Sequence, residues 1–306
     1  VSEVTQAAVG SRITQAKAPP AQPEAAPSPG ARAARRWRPS GLVRAVFALH
    51  LAAAVLLFVN LEWWSWLLGA VAASHLLLSL AVLFPRASLL GANLTRLPPQ
   101  SAARGEIALT FDDGPDAAIT PRVLDLLDEY GMQATFFVIG ENALAHPELT
   151  REIARRGHQV ENHSFHHHAH FSVYGYRRLG REIDAAQQAL AQLTGRAPRF
   201  FRAPAGFRSP LLDPILARRG LRYISWTRRG FDAVGTDAAR VLARLTRNLR
   251  GGDVLLLHDG SEARTAQGEP LVLAALPGLL EKLRERGLRS VRLDTAIPDS
   301  PPALGR

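Results

Sequence analysis

The sequence predicts an α/β domain of parallel strands joined by helical crossovers, entered through a hairpin of two apolar helices. Three observations lead there. From about Gly105 onward, short apolar runs of strand length alternate with amphipathic runs of helix length, as parallel strands with crossovers require. Ahead of them, the runs 45–61 and 63–84 contain no Lys, Arg, Asp or Glu, and about 20 apolar residues cross a bilayer as a helix. Residues 1–40 are rich in Ala, Pro, Gln and Ser with no apolar period. Such a segment buries too little surface to offset chain entropy and is expected to be a disordered tail.

The tail ends in a basic cluster of Arg32, Arg35, Arg36 and Arg38. The hairpin, residues 41–85, turns at Asn60 and Glu62, and Trp63, Trp64 and Trp66 gather where an interfacial aromatic belt would lie. His50 and His75 are single polar residues in apolar runs, read as helix-contact residues rather than ligands. Helices apolar on every face would need a larger partner domain than this chain supplies, so contact with membrane lipid through residues 45–84 is expected. The runs start too late and extend too far for a cleaved signal peptide. Arg35, Arg36, Arg38 and Arg44 flank the first run, and the turn has no Lys or Arg. The positive-inside rule then puts both ends of the hairpin in the cytoplasm, as a multi-pass protein of the cell (inner) membrane.

Residues 86–103 are expected as a linker, 104–297 as the α/β domain and 298–306 as a C-terminal tail. Within the domain, EIALTF, QATFFVIG, HQVENH, PRFFRAP, LRYISW, DVLLLHD and LRSVRL read as about seven strands, each but the last followed by a helix. A barrel and a doubly wound open sheet both fit this alternation. The first strand is not followed by a Gly-rich phosphate loop, which argues against dinucleotide binding.

Composition narrows the chemistry. The chain of 306 residues carries a net charge of +10, almost all from arginine, which suits anionic lipid or an acidic glycan; nucleic-acid modules are absent, so no nucleic-acid partner is expected. Cysteine is absent, which excludes disulfides and thiolate metal sites and leaves His and carboxylate as metal ligands.

The ionisable residues fall at the C-terminal ends of the strands, where parallel α/β folds build their sites. Asp112 and Asp113 end the first strand, and adjacent strand residues point to opposite faces, so one carboxylate can hold a metal while the other meets substrate. His163 and His167 follow the third strand at the i, i+4 spacing that puts two imidazoles on one face of a helical turn, and His166 and His170 share that spacing. Two His and one carboxylate leave positions open for water or substrate. Zn²⁺ is the first candidate, with Co²⁺, Ni²⁺ or Mn²⁺ also possible. Arg202 ends the fourth strand, and a buried Arg needs a carboxylate, for which Asp112 is the candidate. Asp232 follows the fifth strand, and His258 ends the sixth as a candidate general acid.

In order, TFDDGP (110–115), NHSFHH (162–167), RAPAG (202–206) and LLLHDG (255–260) resemble the motifs of the NodB-type polysaccharide deacetylases, carbohydrate esterase family 4, over residues 104–296. The resemblance selects His163 and His167 over the alternative register. It implies a distorted (β/α)7 barrel and an N-deacetylase in which Asp113, His163 and His167 bind a divalent metal. Asp112 would be the base, with Arg202 orienting it. The Ala205 N–H would hold the oxyanion, and His258, oriented by Asp232, would be the acid. Two departures stand out. Trp226 and Asp232 are separated in SWTRRGFDAV where the family joins them, and Ala205 stands where an aromatic is common. The implied partner is an N-acetylated glycan or a lipid-linked amino sugar, since membrane-linked members of the family deformylate such lipids. A deformylase or amidase on a small or lipid-linked N-acyl substrate stays open, because fold does not fix substrate. So does a non-catalytic glycan-binding barrel, against which the complete acid, base and ligand set argues.

Overall fold

The computed structural model describes residues 33–260 and 263–298; most of the expected tail, residues 1–32, and residues 299–306 lie outside these. Helices α1 (Gly41–Val59) and α2 (Trp64–Ala81) form the hairpin around a single tight turn at Leu61–Trp63. The Ser40 hydroxyl caps α1 by accepting from the Val43 N–H, and the Asn60 carboxamide accepts from the Glu62 N–H at 2.9 Å. Both helices are long and apolar enough to cross a membrane, with mean hydropathies of 2.4 and 1.5. They are not buried against the rest of the chain: Phe58 is 94% and Trp66 83% exposed. Burying such residues is worth about 1.5–3 kcal/mol each, which water forfeits and an apolar medium supplies. His50 and His75 meet edge to face at 5.1 Å between the helices, each bonded to a carbonyl one turn back.

The strands are β1 (Glu106–Asp112), β2 (Ala134–Val138), β3 (Gln159–Asn162), β4 (Phe200–Phe201), β5 (Arg222–Tyr223), β6 (Arg228–Arg229), β7 (Val254–His258) and β8 (Arg289–Ser290). Between and around them run α3 (Pro99–Ala103), α4 (Thr120–Glu129), α5 (Gly140–Ala145), α6 (Pro147–Arg155), α7 (Tyr176–Thr194), α8 (Leu212–Arg218), α9 (Ala238–Thr246), α10 (Leu271–Glu285) and α11 (Leu293–Ala296). Every strand pair is parallel, in the order β5-β4-β3-β2-β1-β7-β6. The two ends of that order are one stretch of chain. Arg222 and Tyr223 pair with β4, and Arg228 and Arg229 pair with β7, so the fifth strand expected from LRYISW shortens to β5, and the chain bends and pairs again just beyond it as it closes the barrel. Leu94 fills the bend by pairing with Ile224, and Thr227 donates to the Thr95 carbonyl at 2.7 Å. Residues 86–103, expected as a linker, bond to the barrel at this bend. The last strand shrinks to β8, which pairs with the start of β1 through Glu106 and Ile107. This is a distorted (β/α)7 barrel behind an apolar hairpin.

Period two along the strands decides what faces the centre. Ile107, Leu109 and Phe111 of β1 pack outward with Leu255 and Leu257 of β7 against α4 and α10, and Phe111 stacks on Phe136 at 5.1 Å. Ala108, Val254 and Leu256 pack inward with Phe137 and Trp226. The same alternation carries Thr110 and Asp112 to the inside of β1, and His258 to the inside of β7. β1 and β7 are in register at Asp112 and His258, so a carboxylate and an imidazole sit side by side at the mouth of the barrel.

Candidate active site

Asp112 is buried, and its Oδ1 accepts from Arg202 Nη1 at 2.6 Å. The guanidinium is fully enclosed. It donates to Thr110 Oγ1 at 2.9 Å, to the Ser225 carbonyl at 3.0 Å and to the Ile224 carbonyl at 3.4 Å, and it lies 4.1 Å over the Phe137 ring. Three elements thus fix one cation beneath one carboxylate, the partner that the sequence required. Breaking such a buried pair costs about 3–5 kcal/mol.

Asp113 turns away from Asp112 because its backbone is left-handed, with φ of 72°. That conformation is held by Asn142, whose amide donates to the Asp113 carbonyl at 2.9 Å, and by Gly260, where a Cβ would stand 2.2 Å from that carbonyl oxygen. His163 leaves β3 with Nδ1 on the Arg202 carbonyl at 2.9 Å, so Nδ1–H donates and Nε2 faces inward. His163 Nε2 lies 3.2 Å from Asp113 Oδ1, and His167 Nε2 lies 3.1 Å from the same oxygen.

The helical turn expected for His163 and His167 is not formed. Residues 163–170 are irregular, with Ser164 at φ 68° and His167 at φ 53°, and the His167 N–H donates to the Ser164 hydroxyl at 3.1 Å. Two left-handed residues fold the loop back, and this, not a helix face, brings the imidazoles together. The alternative register is spent elsewhere: His166 pairs with Glu182 at 2.9 Å, and His170 reaches the Tyr174 hydroxyl at 3.0 Å.

Asp113 Oδ1 is buried and makes no protein hydrogen bond, yet two imidazole nitrogens converge on it. The three ligand atoms lie within 4.8 Å of one another. An orphaned buried oxygen among nitrogen donors is unfavourable unless a cation completes it, so the residues present fit a divalent metal. Burial pushes the Asp113 carboxyl up, but the adjacent His163 imidazole and the charges of His163, His258 and His167 outweigh it and hold it well below the usual range. Burial, with the neighbouring His163, pushes His167 down to about 4, which keeps it neutral as a ligand must be.

Opposite, His258 Nδ1–H donates to Asp232 Oδ1 at 3.0 Å, and Asp232 Oδ2 accepts the His258 backbone N–H at 2.7 Å. Asp232 is 1% exposed. Burial pushes His258 down, but the Asp232 bond and charge, with Asp113 and Asp112 beyond, raise it to about 9. Trp226, six residues earlier in the chain, packs instead under the loop Pro204–Gly206, where a Cβ on Gly206 would meet its ring at 2.5 Å. Ala205 crowns that loop, exposed, at φ 53°.

The polysaccharide deacetylase family profile matches residues 100–224. The peptidoglycan-N-acetylglucosamine deacetylase of Bacillus cereus is 32% identical over 193 residues, covering 62% of this chain and 87% of that protein. The chain belongs to the polysaccharide deacetylase family. The chitooligosaccharide deacetylase of Sinorhizobium fredii is 35% identical over 202 residues, covering 63% of this chain and 93% of that protein. Among solved structures, a peptidoglycan N-acetylglucosamine deacetylase bound to an N-hydroxybenzamide compound superposes with a TM-score of 0.61 at 30% identity, over 67% of this chain and 92% of that one. A carbohydrate esterase family 4 pseudoenzyme from Bacillus anthracis shares the fold at 21% identity and a TM-score of 0.59, over 67% and 68% of the two chains. Polysaccharide deacetylases are hydrolases and in general depend on a metal. The pseudoenzyme shows why the site must be judged on its residues, since the fold alone does not fix activity.

Sequence reasoning passed over four participants in this polysaccharide deacetylase site. Thr110 was findable, two residues before Asp112 on the same strand face. Asn142, Ser225 and Phe137 act through contacts between distant segments, and nothing in their local sequence marks them.

Proposed function

We propose that the chain hydrolyses the N-acetyl group of an amino sugar in an N-acetylated glycan, with a divalent metal, Zn²⁺ by preference, held by Asp113, His163 and His167. The observation that carries this is the orphaned Asp113 Oδ1 facing two imidazole nitrogens, with a carboxylate–arginine pair on one side and an imidazole–carboxylate pair on the other. When bound, such a metal supplies Lewis-acid polarisation of the acyl carbonyl and makes water more acidic.

The protein's own groups do the rest. Asp112 Oδ2, which is not tied to Arg202 as Oδ1 is and lies 3.7 Å from His163 Nε2, accepts a proton from the attacking water. The exposed Ala205 N–H is offered to the oxygen on which charge develops. His258, kept protonated by Asp232, gives its Nε2 proton to the departing nitrogen. Acetate and a free amino sugar leave. Two imidazole nitrogens and one carboxylate suit Zn²⁺ over the harder Mg²⁺ or Ca²⁺.

The two apolar helices support an anchor in a membrane, and the arginine distribution supports a barrel on the cytoplasmic side. There a lipid-linked amino sugar is the reachable substrate; on the outer side a wall polymer would be. Mass spectrometry of envelope glycans and lipid-linked sugars, with and without the protein, tests the reading. One fewer acetyl group per affected sugar supports it, and an unchanged glycan and lipid pool rejects it.

A further inference from the structure

A cavity of about 590 Å³ lies between the foot of α2 and the barrel mouth, apart from the residues assigned to catalysis. Its floor is apolar, from Leu83, Phe84 and Trp226, and four arginines ring it: Arg86, Arg229, Arg244 and Arg247. A fifth, Arg228, is already neutralised by Asp253 and by two backbone carbonyls. No Asp or Glu lines the cavity among the described residues. Arg229 has a buried Nε with no hydrogen-bond partner, and its guanidinium lies 4.8 Å over Phe231 and 5.5 Å over Trp226. Among the described residues, the Arg86 and Arg244 guanidinium groups hydrogen-bond only to carbonyls, at 3.2 Å to Thr227 and 3.5 Å to Gly230, and Arg244 also lies 5.1 Å over Phe231. Four like charges around one apolar hollow repel one another, and a polyanion with an apolar tail relieves that repulsion and fills the floor together.

Position selects the ligand further. The wall at Leu83–Ala87 follows directly on the apolar helix α2, so the cavity opens where lipid headgroups would lie. The opposite wall touches the catalytic groups. Phe231 precedes Asp232, and both Trp226 and Pro85 press on Gly206 of the loop that presents Ala205.

We propose that this cavity holds the phosphate or diphosphate of a membrane amphiphile, so that an amino sugar carried on that phosphate reaches the metal ligands and His258. The substrate half of this rests on the deacetylase reading; the phosphate site does not.

The test uses the full chain in zwitterionic detergent micelles with two probes, geranyl diphosphate and inorganic pyrophosphate, their binding read by calorimetry. Geranyl diphosphate is expected to bind at least about tenfold more tightly than pyrophosphate. Arg229→Gln is expected to weaken it by about tenfold, as is the double variant Arg244→Gln with Arg247→Gln. The double variant changes exposed side chains at the end of α9, so it tests the site even if Arg229→Gln does not fold. Equal affinity for the two probes overturns the lipid source, and no binding, or binding unchanged in the variants, overturns the site. Acetate release from a phosphate-free chitooligosaccharide is measured in parallel and is expected to be unchanged in the double variant. Phosphate binding without any acetate release sinks the catalytic reading alone, and acetate release without phosphate binding sinks this one alone.

Discussion

Replacing Asp232 by Asn removes a charge and leaves the shape of the His258 pocket. In the native pair, His258 donates to Asp232 at 3.0 Å while the second carboxylate oxygen takes the His258 backbone N–H, so the ring is fixed in both tautomer and direction. Burial alone pushes His258 below the usual imidazole value; Asp232 is the chief cause of its rise from 6.5 to about 9. That difference is worth about 3 kcal/mol between the two protonation states. The sign follows from the role. A general acid must be protonated, so activity persists below the folded pKa and is lost as pH rises through it. Without the carboxylate the pKa falls to the usual imidazole range or lower, and the alkaline limb of the kcat profile moves down by about two pH units or more. At pH 8 the protonated fraction drops from about nine-tenths to a few per cent, roughly a thirtyfold loss of kcat. The same linkage applies to folding: the pair's stabilisation is complete below the unfolded imidazole pKa and fades as pH rises through about 9. The assay is acetate release against pH, with metal content measured on the same samples. A variant with normal metal content and an unmoved alkaline limb would refute the assignment of Asp232 and His258.

Three other changes separate the remaining roles. Asp112→Asn is expected to retain bound metal while kcat falls by about 10²–10⁴-fold, and metal loss alongside activity would move Asp112 into the ligand set. Arg202→Met leaves the Asp112 carboxylate buried without its cation and is expected to cost about 3–5 kcal/mol, read as a fall in the denaturant midpoint at unchanged slope. Gly206→Ala, at φ 77° with a Cβ 2.5 Å from the Trp226 ring, is expected to displace the Ala205 loop and lower kcat by at least about tenfold, whereas a neutral result would show that the loop does not serve the reaction.

The sequence carried the alternation of parallel strands and helices because period-two and helical periodicities are local signals, and the residues that matter fall at strand ends by that same periodicity; the choice of a barrel over an open sheet came from the family resemblance alone. The outward Ile107, Leu109 and Phe111 and the inward Asp112 follow from one alternation. Ordered motifs also separated His163 and His167 from three neighbouring histidines. Two things were not legible. The left-handed backbone at Asp113, Ser164 and His167 is imposed by contacts with Asn142, Gly260 and a serine hydroxyl, whereas spacing alone suggested a helical turn. The closure of the barrel through one bent stretch of chain depends on Leu94, more than a hundred residues away in the chain, bonding into the bend at Ile224. The separation of Trp226 from Asp232 looked like a damaged motif, yet the fold brings Trp226 beneath the Gly206 loop and Asp232 to His258.

The central claim is a metal-dependent N-deacetylase, and its most direct test is acetate release from an N-acetylated chitooligosaccharide by the purified chain, before and after chelation and on restoring Zn²⁺. The account predicts acetate and free amine in equal amounts, activity lost with the chelator and regained with the metal, and neither metal binding nor activity in His163→Ala with His167→Ala. Undiminished acetate release by the metal-free protein, or none from a protein that holds its metal, would contradict it.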